Sequence, residues 1–91
     1  MIEHDADHHR FVDRLDAGDA YISYVTTPDG ALDLQHTVVP EVARGQGVGE
    51  SLVRAAMDHA REQGVQVIPS CPFVQSWLDE HPEARDLVQD E

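Results

Sequence analysis

The chain has 91 residues, enough for one domain with a modest core. Eighteen acids stand against six basic residues, all arginine, for a formal charge of −12, a surface that repels nucleic acid and anionic membranes; a solubility or salt adaptation is favoured over attraction of a cationic or amine partner as its purpose. Apolar residues at 41% exclude a disordered chain, and the single cysteine, Cys71, excludes an internal disulfide and a four-cysteine zinc site.

The opening MIEHDADHHR is acidic and polar, unlike a signal or transit peptide, and no run approaches the ~20 apolar residues of a membrane span, so the expected compartment is the cytosol. Residues 1–9 read as a frayed, flexible terminus. His4, His8 and His9 stand there beside Asp5 and Asp7, and a solvated terminus is favoured over a metal site because no apolar residues would hold the ligands in place. Residues 10–91 read as one domain.

RFVDRL at 10–15 predicts a first strand, DAGD at 16–19 a turn, and AYISYVT at 20–26 a second strand rich in aromatic and β-branched residues. TPDG at 27–30 predicts a turn. ALDLQHTVV at 31–39 alternates as a third strand, placing Leu32, Leu34, His36 and Val38 on one face and Asp33, Gln35, Thr37 and Val39 on the other. The three form an antiparallel meander that stops at Pro40.

Residues 47–63 then read as a helix, with Val48, Leu52, Ala55, Ala56 and Ala60 at helical spacing and Gly64 as the natural C-cap. VQVI at 65–68 is a short buried strand reached by a helical crossover, hence parallel to the third strand. Pro72 starts a short helix whose apolar stripe is Phe73, Val74, Trp77 and Leu78, Pro82 ends it, and ARDLVQ adds a last turn. His59 fits the positive residue favoured near a helix C-terminus. The fold class is α/β (α+β), without internal repeat or linker.

The most informative stretch is RGQGVG at 44–49, between the third strand and the helix. Within a helix each glycine would cost about 1 kcal/mol relative to alanine. As a turn, Gly45, Gly47 and Gly49 let backbone N–H groups converge on an anion at the positive end of the helix dipole. Arg44, the only basic residue between Arg14 and Arg54, adds a charge-assisted contact. A mononucleotide P-loop would need a lysine, and a dinucleotide fingerprint needs G-x-G-x-x-G in a longer framework, whereas this spacing is G-x-G-x-G.

The run Arg44-Gly45-Gln46-Gly47-Val48-Gly49 resembles motif A of the GCN5-related N-acetyltransferases. The longer stretches His36 to Met57 and Val67 to Glu83 resemble very small members of that superfamily, the YjdJ-type proteins, with Met57 where leucine is common. The resemblance covers nearly everything after residue 9. It implies a minimal acetyltransferase fold and acetyl-coenzyme A as ligand, its pyrophosphate on the amides of Gln46 to Gly49. The pantetheine arm is implied to lie between the third and fourth strands, against the backbone of Val38 and Val39. The acceptor is then an amine of a small molecule or protein. A monomer is the expected state, with a weak dimer as the alternative. An alternative is a CoA-binding module or partner subunit with little transfer of its own.

Transfer to an amine needs a neutral amine, a stabilised thioester oxygen and a proton for the leaving thiolate. Cys71, at the start of the last helix, is open to three roles: acid for the leaving group, acetyl-accepting nucleophile, or buried small apolar residue. His36 is the best imidazole for a general base, or else a structural hydrogen-bonder. Glu41 either relays a proton through water and attracts a cationic acceptor, or is a solvated loop acid.

Overall fold

A computed structural model describes residues 2–89. Strands β1 (Ile2–Asp5), β2 (Arg10–Leu15), β3 (Gly18–Thr26) and β4 (Leu32–Val38) form an antiparallel meander. Helix α1 (Val48–Gln63) crosses over to β5 (Val67–Pro69), which pairs with β4 in parallel and completes the sheet order β1-β2-β3-β4-β5. Helix α2 (Pro72–Glu80) follows, then a 3-10 turn at Pro82–Leu87. Val88 bridges to Val67 in parallel, so Val88 and Gln89 flank β5 on its other side. Among the described residues, no helix is long and apolar enough to cross a membrane.

Helix α1 forms where the apolar spacing falls, burying Leu52, Val53, Ala56, Met57 and Ala60 against one face of the sheet. Burying a Leu or Val in this way contributes about 1.5–3 kcal/mol. Its C-terminus closes in a Schellman motif. Gly64 adopts φ 70°, its N–H reaches Arg61 O, and Val65 N–H reaches Ala60 O at 3.0 Å.

The frayed terminus expected over residues 1–9 gives way to an edge strand. Alternation hides there because imidazoles do the apolar work. His4 stacks on Phe11 with ring centroids 4.4 Å apart, meets His59 edge-on at 4.4 Å, and shares a hydrogen bond between its Nε2 and the Tyr24 hydroxyl. On the opposite face of the same strands, Glu3 pairs with Arg14 at 2.9 Å and Asp5 with Arg10 at 3.4 Å. His59 therefore takes part in this ring cluster on the sheet, beyond its place near the end of α1. Met1 lies outside the described residues.

A second correction concerns β4. Ser23 stands opposite His36 while Tyr24 stands opposite Leu34, so Gln35 is an extra residue on β4. This bulge reverses the side-chain alternation beyond it. Leu32 and Leu34 face the helices, and beyond the bulge so does Thr37, opposite the buried Ile22. His36 and Val38 are turned to the helix-free face, where both are exposed. His36 does not share a face with Leu34.

Candidate functional site

The β4–β5 ladder covers only Leu32–Leu34 against Val67–Pro69. Pro69 has no N–H with which to extend it, and after one more bond, Cys71 N–H to Leu34 O at 2.9 Å, Pro72 turns the chain into α2. The end of β4 therefore has no strand on its β5 side, and a cleft of about 530 Å³ opens there. Its walls are Thr37, Val38 and Val39 of β4, the loop residues Ala43, Arg44, Gly45 and Gly47, the first turn of α1 with Val48, Gly49 and Glu50, and Phe73 of α2.

The glycines divide into two roles. Gly45 and Gly47 have φ values of 83° and 79°, left-handed conformations that side-chain-bearing residues rarely adopt, and a Cβ at either would meet only open space. Gly49 is helical and buried, and a Cβ there would lie 2.9 Å from the Phe73 ring. The Phe73 ring thus rests where a side chain at position 49 would stand, and any larger residue there has to displace it.

Helix α1 begins after Gly47 with no side-chain cap, and its first intrahelical bond is Ser51 N–H to Gly47 O at 3.0 Å. The N–H groups of Val48, Gly49 and Glu50 precede that bond and are the orphan donors of a helix start. Together with the dipole they form a ready anion seat. Exposed Arg44 adds its guanidinium beside them, anchored by Nε donating to Val39 O at 3.3 Å.

The sequence-predicted residues are gathered unevenly. Val38, Val39, Arg44, Gly45, Gly47, Val48 and Gly49 line the cleft, and Gln46 is exposed in the loop without lining it. Cys71 is buried at 6% exposure, one layer behind the cleft, with Sγ 3.5 Å from Thr37 Oγ1. Burial pushes this thiol up. The Thr37 hydroxyl and the amides of Val74 and Phe73 at the start of α2 outweigh that, so its pKa falls below the ordinary thiol value. Glu41 is exposed in a 3-10 turn (Glu41–Ala43) leading to Arg44.

Three wall residues escape a reading by alternation. Strict alternation points Thr37 away from the core, and only the bulge brings it to Cys71. Phe73 counts as a core residue by helical spacing, yet it is 43% exposed at the cleft. Glu50 follows the glycines directly and projects beside them, a placement that an acid in a first helical turn does announce.

The chain matches a family model described as GCN5-related N-acetyl-transferase over residues 10–87. It is similar to Protein NATD1 of Xenopus tropicalis, 34% identical over 83 residues that cover 89% of this chain and 76% of the relative. Protein NATD1 of Homo sapiens is 32% identical, with 89% and 74% covered. The solution structure of a GCN5-like protein from Staphylococcus aureus superposes with a TM-score of 0.76 at 28% identity, covering all of this chain and 89% of that one.

Proposed function

Because the chain belongs to the GCN5-related N-acetyltransferase family, we propose that it binds acetyl-CoA in the cleft beside β4 and transfers the acetyl group to an amine. The observation that carries this reading is the uncapped start of α1: three orphan amides, two left-handed glycines without obstruction, and Arg44, at one end of a cleft that continues along an unpaired strand. These residues fit a diphosphate followed by an extended, amide-bearing arm. The Gln46 to Gly49 backbone and Arg44 would hold the diphosphate, and Val38 and Val39 would flank the arm. When bound, acetyl-CoA supplies an activated acetyl group.

The chain's own residues then divide the proton work. Cys71 Sγ holds a proton in reach of Thr37 Oγ1, and the Thr37 hydroxyl, which lines the cleft, passes it inward. Val38 lines the same cleft from the helix-free face of the sheet, and His36 is exposed two residues away on that face. An amine arriving over this face gives its proton to the His36 imidazole. Glu41, exposed at the loop, adds to the negative field that draws a cationic amine. The protein acts in the cytosol as a monomer in this reading.

Mass spectrometry of the protein incubated with acetyl-CoA and a panel of amines tests the proposal. The expected result is retained cofactor, an acetylated amine, and no acetyl on Cys71. An acetyl adduct on Cys71 when amine is withheld would replace the acid role with a nucleophile role, and absence of CoA binding would overturn the reading. A second reading, a CoA-binding module whose transfer needs a partner, is favoured by the helix-free face of the sheet: no helix of the described residues covers it to complete an acceptor pocket. That reading predicts bound cofactor without product.

A further inference from the structure

Glu50 is the one acid in the first turn of α1, and it stands in the wall of the glycine cleft. It also walls a second cavity of about 190 Å³, shared with Phe73, Ser76, Trp77 and Glu80. Across that second cavity lies a stacked set of groups. His81 stacks on Trp77 with centroids 4.1 Å apart, and Arg54 lies over the same indole at 5.6 Å. His81 Nδ1 donates to Trp77 O at 2.8 Å, which leaves Nε2 toward Arg54 Nη2 at 3.4 Å and Glu50 Oε1 at 3.7 Å. Arg54 Nη2 is itself 4.0 Å from Glu50 Oε1.

An acid in this position acts in two ways. It satisfies the helix dipole when no other anion does. It also opposes any anion that comes to the same amides, because like charges a few ångströms apart repel. Its carboxylate is held only at the outer limit of ion-pair distance by Arg54, on its own helix, while His81 Nε2, at the end of α2, accepts from Arg54 and steadies it.

We propose that Glu50 is an affinity-setting residue of the anion seat: its carboxylate, in the first turn of α1 at the rim of the seat, weakens polyanion binding, and Arg54, steadied by His81, is the counter-charge that draws it aside. This rests on the reading of the cleft as the CoA site. The glycine loop supplies the donors, and the α1–α2 contact sets how much of their field an incoming diphosphate feels. The groups that hold Glu50 back lie outside the glycine cleft and are fixed by the Trp77 stack, so Trp77 and His81 tune the site from outside the cleft.

Calorimetry with CoA at low and high salt tests this. In Glu50→Gln the affinity should rise about three- to tenfold at low ionic strength, and the gain should shrink in ~0.5 M salt, where exposed charges are screened. Arg54→Gln should weaken CoA by a similar factor, and the double variant should bind like Glu50→Gln alone. Glu62→Gln, exposed near the other end of α1, removes the same charge and should leave affinity within about twofold. Equal affinity in Glu50→Gln and the unaltered chain, or an equal gain in Glu62→Gln, overturns the inference while the CoA site stands. No binding of CoA to the unaltered chain overturns both.

Discussion

The two ends of the sheet solve the same problem in opposite ways. At the β1 end, the two faces beside the edge strand are sealed by side chains. Four rings (His4, Phe11, Tyr24 and His59) close over the helix side, and two arginine–carboxylate pairs lock the other face. At the β5 end the ladder stops after three residue pairs, a bulge re-aims β4, and the chain turns away at Pro72. One end converts its polar and aromatic side chains into stability. The other leaves backbone N–H groups unpaired and glycines in left-handed conformations, and gains a cleft. The difference shows that the cleft beside β4 is a local feature with its own sequence causes, since the opposite end of the same sheet carries side chains packed over both faces.

The first way to break this comparison is Phe11→Ala at the sealed end. Phe11 is 2% exposed and carries the His4 stack, so its truncation should cost about 3–5 kcal/mol in urea unfolding. Affinity for CoA per folded molecule should be unchanged, and a large loss of affinity would show that the two ends are coupled. Gly47→Val at the open end should do the reverse. A β-branched residue at φ 79° carries roughly 1–3 kcal/mol of strain, and the side chain projects where the anion must approach. CoA affinity should fall by about 10- to 100-fold, and unchanged affinity in a folded variant would remove the anion seat.

A smaller effect is expected behind the cleft. Thr37→Val removes the hydroxyl that lowers the Cys71 thiol pKa, so that pKa should rise, read as a shift to higher pH in the rate of thiol alkylation. Transfer should slow several-fold with CoA affinity nearly intact. A folded Cys71→Ala variant with full transfer would remove both chemical roles of the cysteine.

The smallest effect belongs to the sealed end again. Burial first, then His59, holds the His4 imidazole below its ordinary pKa, against an opposing pull from Asp5. The fold therefore prefers neutral His4, and the unfolded chain takes up the proton first as the pH drops. The contribution is fully present above the unfolded value of ~6.5 and is lost as pH falls through that value to the folded one. His4→Gln should flatten the slope of stability against pH in that window, measured by thermal unfolding in a pH series. An unchanged slope would show that the ring cluster does not couple to protonation.

Much of the fold was legible because local pattern and tertiary role agree. β2, β3, α1 and α2 fall where alternation, helical spacing, Gly64 and Pro72 put them, to within two residues. The parallel pairing of β5 followed from the helical crossover. The glycine loop could be read as an anion seat because φ above zero and orphan helix amides are consequences of neighbouring residues alone. β1 escapes the pattern because His4, acting as an apolar ring, breaks the alternation that marks strands.

What the sequence determined by itself is therefore the set of local structures and the chemistry of one loop: strands, helices, caps and the donors of residues 44–49. What only the tertiary structure decided is which side chains face the cleft. One extra residue at Gln35 moved His36 to the helix-free face and Thr37 to Cys71, from residue 37 to residue 71 across the fold. The bulge is a property of the pairing between β3 and β4, and no residue type within β4 announces it. The same holds at Gly49, whose missing Cβ answers to Phe73 on another helix, and at Glu50, whose partners Arg54 and His81 meet only when α2 packs on α1. Short-range backbone preference can be read along a chain, whereas side-chain direction beyond an irregularity depends on the partner strand or helix that the fold brings alongside.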